Sequence, residues 1–394
     1  MAVSRTAIAR RPTLRERTGL TPGAVAAIAT TVAVGTAASL LPPLLSLTLT
    51  GRGVSERTVG MLISVIALAS LTIAPFAARI AARFGTAPTI AVATLVMASL
   101  VAVTHFIGDV RLLFPVAYAY GIATSLCFTL SEYWINAATP ENRRGMVIGI
   151  YASMLSIGFA VGPAIIAVLG IGSVVPYLVG ALILVGASVP VLLARRHSPD
   201  FHEVPRARFV SFILAVPVAT IGAFVFAMGE GGGFAFLPVW GAKLGFSEHI
   251  VPLLASAMTL GNVIFQVPIG MLADRVDRRL VLFVLGVVGC VGMVLAWAVS
   301  GSPSLLMLVL FLWGGSTAGI YTVGLSHLAG RFRGGALASA NAAFIFCYAL
   351  GMFVGPVIIG DGLARAPVAG FPLVLGTVFL LYAVLVAFRL WQRP

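Results

Sequence analysis

Residues 158–166 read GFAVGPAII and residues 351–359 read GMFVGPVII, two versions of one stretch set 193 positions apart (351 against 158). An offset this wide takes up about half of the 394 residues, so the chain reads as two related halves. Each copy carries small residues four apart, Gly158 and Gly162 in one, Gly351 and Gly355 in the other, followed by Pro163 and Pro356. In an apolar helix that spacing lets two backbones approach closely. These six residues are therefore expected to pack helices together.

Around both copies the chain stays apolar. Hydrophobic residues make up 60% and charged ones 9%, against about 25% charged in a typical soluble domain, and the mean hydropathy is +1.07. A water-soluble globular protein is excluded, and the solvent that fits is the bilayer. Crossing ~30 Å of hydrocarbon takes ~20 apolar residues in a helix. Backbone groups inside lipid must also be satisfied within the span. Apolar segments run near 23–49, 58–79, 88–107, 112–138, 146–170 and 174–194, and again near 209–240, 251–272, 280–300, 304–329, 336–360 and 371–390. The expected fold is an all-α membrane protein, twelve transmembrane helices in two pseudo-symmetric six-helix bundles.

The longest polar run between spans, RRHSPDFHEVPRAR at 195–208, divides the bundles. It gives a tail over 1–22, a first bundle over 23–194, a linker over 195–208, a second bundle over 209–390 and a short tail over 391–394. With the amino terminus inside, twenty of the 25 basic residues fall in inner segments and only Arg52, Arg57, Arg111, Lys243 and Arg365 in outer ones. Positive residues favour the cytoplasmic side, so both tails and the linker are expected there. Trp240 and Trp297 fall near the outer boundary and Trp134 and Trp391 near the inner one, as interfacial aromatics do.

The net charge of +13 does not indicate nucleic acid, because the arginines are dispersed between apolar segments and form no continuous basic surface. Cys127, Cys290 and Cys347 lie inside apolar segments without paired spacing, so neither a disulfide framework nor a metal site is indicated. There is no GxxxxGK phosphate loop, no HExxH and no nucleophile with a neighbouring base. An enzyme or an ATP-driven pump is not expected.

Residues 270–279, GMLADRVDRR, follow the eighth span and resemble the cytoplasmic loop signature of the major facilitator superfamily. The resemblance covers essentially the whole chain: twelve spans, a central linker, an offset repeat, and the glycine-proline motif in spans five and eleven. It implies a cytoplasmic gate in which Gly270, Asp274, Arg275, Arg278 and Arg279 hold the inner face in one state and release it in another. A plain topology-setting basic loop is the alternative. The matching loop of the first half, AARIAARFGTAP at 77–88, keeps Arg83 and Gly85 but has Ala78 and Ala82 where the superfamily usually has Gly and Asp. GFAVGP resembles the antiporter signature of the drug- and metabolite-exporter branch. At the position where many proton-coupled exporters carry an arginine in span four, this chain has Ala117.

Of twelve acidic residues, only Glu132 and Glu230 fall inside spans. A charge near the bilayer centre costs on the order of 2.5–3.5 kcal/mol, so each needs a cavity, a partner or a proton. Glu132 sits in SEYWIN, with Ser125, Thr129, Asn136 and Thr139 at helical spacing around it. Two readings stay open: a substrate or proton site, or a gate pair with Arg83, Arg143 or Arg144. Glu230 lies in MGEGGGFAFLP, where three glycines weaken the helix and Phe226 and Phe234 stand four residues to either side. It is either a coupling acid or a neutral one hydrogen-bonded to the next helix. The resemblance places spans one, four, seven and ten around the cavity, which adds Trp313, Thr317 and Tyr321 of span ten. Thr259, Asn262 and Gln266 on span eight share a helical face that either lines the cavity or, the favoured reading, hydrogen-bonds to a neighbouring helix.

The expectation is a monomeric secondary transporter of a bacterial inner membrane. It moves a small organic molecule by alternating access, without cofactor, on the proton gradient. About 100 mV is worth ~2.3 kcal/mol per proton. Proton antiport export leads; proton-linked uptake and a non-transporting sensor or scaffold are the alternatives.

Overall fold

The computed structural model describes residues 21–139, 144–199, 210–332 and 334–392. Most of the amino-terminal tail, Arg143, the linker beyond Pro199 and Arg333 lie outside them. Twelve helices among the described residues are long and apolar enough to span a membrane. They are α1 (Pro22–Gly51), α2 (Glu56–Phe84), α3 (Thr86–Thr104), α4 (Val110–Ala138), α5 (Arg144–Leu169) and α6 (Val175–Leu193), then α7 (Pro217–Lys243), α8 (Val251–Ala273), α9 (Arg278–Ala298), α10 (Pro303–Arg331), α11 (Gly334–Arg365) and α12 (Gly370–Trp391). An even number of crossings puts both ends of the chain on one face, called here the terminal face, with the distal face opposite.

Local chemistry sets the helix ends. Thr21 caps α1 by accepting from the Ala24 amide, and Ser55 caps α2 with Glu56 in its first turn. Asp109 and Asp277 accept from the amides of Arg111 and Arg279 to start α4 and α9. Each satisfies a donor that the first turn leaves free. Gly85, at φ +86°, makes the reversal from α2 into α3, a conformation that a Cβ would strain. The seventh span differs from expectation. It does not run on from 209: a short helical segment, Val210–Ala215, stops at Val216 and α7 starts afresh at Pro217. The residue before a proline is pushed out of the helical region, and the proline has no N–H to continue the ladder. The Thr220 hydroxyl bridges the break, donating to the carbonyls of Ile213 and Val216.

The outside of the barrel of helices is aliphatic. Val92, Val168, Leu182, Val294 and Leu381 are all exposed, which is the surface that lipid rather than water asks for. Within the first half α5 packs along α1, and within the second α11 packs along α7. The repeat motif makes both seams. A methyl at Gly158 would meet the Val32 carbonyl and one at Gly162 would meet Ser39, while one at Gly355 would meet the Met228 carbonyl at 2.7 Å. The two copies of the motif are thus equivalent packing devices, one per bundle. The halves join through α2 against α11, α5 against α8 and α1 against α7, the first of these seams being the most extensive.

Two of the boundary tryptophans lie near the expected helix ends but face the protein interior. Trp240 is fully buried, stacked on Phe371 at 5.1 Å and donating its indole N–H to the Val368 carbonyl. Trp134 is also buried and donates to the carbonyl of His197 at the start of the linker. Each indole N–H found a backbone acceptor inside the fold, which the interface would otherwise have supplied. Trp297 and Trp391 are exposed near the ends of their helices.

Candidate transport site

Glu230 sits midway along α7, and its Oε2 accepts a 2.6 Å hydrogen bond from the Tyr348 hydroxyl of α11. Around it is a knot of rings. Phe226 lies 5.9 Å from Tyr321 and 6.3 Å from Tyr348, Tyr321 is 5.5 Å from Tyr348, and Phe344 is 5.1 Å from Tyr321. The carboxyl is thus presented from an aromatic wall built by α7, α10 and α11. The glycines after it do not break the helix, contrary to expectation. α7 is continuous through Gly231–Gly233, and a methyl at Gly231 would meet the Met352 sulfur at 2.8 Å, one at Gly232 the Gly355 backbone at 3.0 Å. Gly231 and Gly232 are small because α11 lies against them.

The second acid comes from the other half. Glu132, in the part of α4 nearer the terminal face, is exposed, and its Oε1 accepts a 2.7 Å hydrogen bond from the Tyr151 hydroxyl of α5. Among the described residues no ion pair reaches Glu132 or Glu230. Arg83 in particular turns over the Phe84 ring at 5.4 Å. Thr129 and Asn136 are exposed on the same stripe of α4, the Asn136 amide donating to the Glu132 carbonyl.

Other expected residues point elsewhere. Trp313 is buried and donates to the Gly289 carbonyl of α9, edge-on to Phe379. The Thr317 hydroxyl is spent on the Trp313 carbonyl one turn back. Both side chains are thus engaged in packing, the Trp313 ring lying 3.5 Å from where a Cβ on Gly229 of α7 would stand. Phe234 meets Phe159 of α5 at 6.2 Å, a ring contact across the halves. On α8, Gln266 donates to Asn262 at 2.6 Å. Reading the sequence alone missed Tyr151 and Tyr348. Their signal is positional: Tyr151, Leu155, Gly158 and Gly162 share one helical stripe of α5, as Phe344, Tyr348, Gly351 and Gly355 do on α11.

The two rims differ. At the distal face Lys243 of α7 pairs with Glu56 of α2 at 2.6 Å, and Asp361 of α11 reaches Arg57 of α2 at 3.9 Å and Arg365 at 2.9 Å. Nearby, His249 Nδ1 meets the Ala167 carbonyl and the Ser256 hydroxyl that of Ala160, both across the halves. A cavity of about 320 Å³ lies under this rim, lined by Thr50, Glu56, Lys243, Phe246 and Glu248 among others. At the terminal face Arg278 serves its own half, donating to the Ser326 carbonyl of α10 at 3.0 Å and standing 4.0 Å from Asp274. Asp274 and Arg275 are exposed and Gly270 faces Thr322 of α10. Among the described residues, the ion pairs that join the two halves lie on the distal side.

The family model described as Major Facilitator Superfamily matches residues 26–247 and 219–394. The chain belongs to the major facilitator superfamily. Its members are transporters rather than enzymes, and this multi-pass protein is a secondary transporter. A Bacillus subtilis (strain 168) protein named "Uncharacterized MFS-type transporter YfkF" is 25% identical over 333 residues, 83% of this chain and 85% of that one. A Yersinia pestis (strain Pestoides F) MFS-type transporter is 25% identical over 60% of this chain and 62% of its own length. Among solved structures, a nucleoside transporter NupG mutant shares the fold at a TM-score of 0.77 and 15% identity, covering 94% of this chain and 99% of that one. A D-xylose-proton symporter shares it at 0.70 and 16%, covering 93% and 96%. At these identities the two structures bear on the fold alone.

Proposed function

We propose that this transporter exports a small organic molecule with a cationic, partly aromatic character across a bacterial cytoplasmic membrane in exchange for protons, with the terminal face toward the cytoplasm. The observation that carries the reading is Glu230, a carboxyl held by Tyr348 within a wall of rings. A carboxyl so placed binds either a proton or a substrate cation, and the faces of neighbouring rings add attraction for the cation. Competition for one acid is what exchange requires. The clustering of Arg79, Arg83, Arg195, Arg196, Arg275, Arg278 and Arg279 at the terminal face supports its cytoplasmic side.

The rims supply the moving parts. In this conformation the distal seam is closed, so a cytoplasmic substrate meets Glu132 and then Glu230. Rocking the halves opens the distal seam and releases cargo outward. The test uses inverted membrane vesicles and ethidium, a fluorescent aromatic cation. With the interior made acid, wild type accumulates the dye and Glu230→Gln does not. Accumulation in the variant equal to wild type, or uptake indifferent to the pH gradient, overturns the reading. Dye driven out of the vesicles by the same gradient replaces export with proton-linked uptake.

A further inference from the structure

Phe234 stands one turn beyond Glu230 on the same face of α7. Its ring meets that of Phe159 of α5 edge-on, with centroids 6.2 Å apart and planes at 82°, so one ring comes from each half. Phe159 is seated in the first half. A methyl on its neighbour Gly158 would meet the Val32 carbonyl of α1, and the Phe159 ring itself lies 3.4 Å from where a Cβ on Gly35 of α1 would stand. Phe234 is seated in the second half. It is 8% exposed and follows Gly231 and Gly232, which lie against α11. Next to Phe159, the Ser256 hydroxyl of α8 donates to the Ala160 carbonyl at 3.5 Å, so the halves also touch beside the rings.

The height of the pair is telling. At about 1.5 Å per residue, Phe234 lies ~6 Å to the distal side of Glu230 along α7, and Val239, which lines the distal cavity, lies ~7.5 Å farther on. On the terminal side Thr129, Glu132 and Asn136 of α4 are exposed. The bond between Glu56 and Lys243 is at the mouth, joining the first residue of α2 to the last of α7. Resting only on the rocking of the halves, and not on export or proton exchange, we propose that Phe159 and Phe234 are an inner distal gate. The two rings seal Glu230 from the distal side in this state and part when the halves rock. Apolar rings offer water no hydrogen bond, so a constriction made of them stays dry and bars ions. They bind each other only weakly and so part readily, which leaves the holding of the seam to the charged rim.

The test is access of a membrane-impermeant thiol reagent, a methanethiosulfonate bearing a trimethylammonium group, to Thr129→Cys in a background of Cys127→Ala, Cys290→Ala and Cys347→Ala. Right-side-out and inverted membrane vesicles present opposite faces, and the preparation that labels fast marks the terminal side. From the distal side labelling is expected to be slow, and to rise about tenfold or more on adding Phe234→Ala, since the ring contact that barred the path is gone. Phe159→Ala should do the same and the double change little more, because either loss opens one contact. Phe234→Leu refills most of the space and should bring labelling back near the slow rate. Spin labels at Gly108 and Gly301, in distal loops of opposite halves, should report unchanged distances in Phe234→Ala. Longer distances would make the rings a clasp of the seam and overturn the gate. Fast labelling from both sides before either change, or distal labelling that neither change speeds, overturns it equally. Should Phe234→Ala fail to purify, Phe159→Ala decides by the same readings. Neither dye nor pH gradient enters this test, so the two readings fail separately. Ethidium transport blind to pH removes proton exchange and leaves the gate, whereas distal labelling indifferent to the rings removes the gate and leaves exchange.

Discussion

The distal and terminal rims are built from the same materials, helix ends, arginines and acids, yet they spend them differently. At the distal rim the pairs cross between halves, Glu56 to Lys243 and Arg57 to Asp361, where two adjacent residues of α2 meet opposite charges from α7 and α11. At the terminal rim Arg278 binds Ser326 and approaches Asp274 inside its own half. Charges that cross a seam hold a conformation, and charges that stay within a half hold a bundle. A basic loop alone therefore does not identify a closed gate; its partners do.

The sharpest way to break the comparison is to pry the distal seam apart. A Cβ on Gly60 of α2 would run into the Pro356 carbonyl of α11, a backbone atom that cannot rotate away. Gly60→Val is expected to cost the closed distal seam about 3 kcal/mol, on the order of a hundredfold in population. Spin labels at Gly108 and Gly301, in distal loops of opposite halves where a side chain meets open space, would report longer distances. An unchanged distribution would mean that this seam does not hold the state. Next comes Glu56→Lys, which sets two cations together where the side chains are 15% and 25% exposed. Losing that charged bond is worth about 2 kcal/mol, and adding Lys243→Glu should restore the wild-type distances. If the reversed pair behaves like the single change, the bond is not the clasp.

How far the sequence reaches can be judged on particular residues. Span number is a property of composition, and twelve long apolar helices among the described residues carry it; Gly158, Gly162, Gly351 and Gly355 stand where a methyl would run into a neighbouring helix. The restart at Pro217 was also written locally, in the rule for residues before proline, but an unbroken apolar run concealed it. Glu132 and Glu230 stood out because a carboxyl among aliphatics is costly. What holds them was not visible. Tyr348 is 118 residues from Glu230, and nothing in the spacing of either helix states that their faces meet. Trp313 shows the converse, since its spacing matched Tyr321 while its indole found an acceptor on α9.

The remaining predictions probe the weaker contacts on each rim. Arg278→Ala removes a bond to the Ser326 carbonyl from a partly buried guanidinium and should cost the second bundle about 1 kcal/mol. A lower melting temperature with unchanged distances at Gly108 and Gly301 is the expected pair of results. A changed distal distance would make Arg278 part of the gate after all.

Asp361→Asn should do least, although it lies across the same seam as Glu56. Its partners are open to solvent, Arg57 at 63% and Arg365 at 76% exposed, and the Arg57 contact is long at 3.9 Å. Exposed pairs of this kind are worth ~0.5 kcal/mol, about a twofold change in the distal distance populations. Salt separates it from the inner pair. At about 1 M salt, where screening acts over ~3 Å, the Asp361→Asn effect should vanish, whereas the shielded Glu56–Lys243 bond should keep most of its own. An Asp361→Asn effect that survives high salt would place the outer pair, and not only the inner one, among the contacts that fasten the halves.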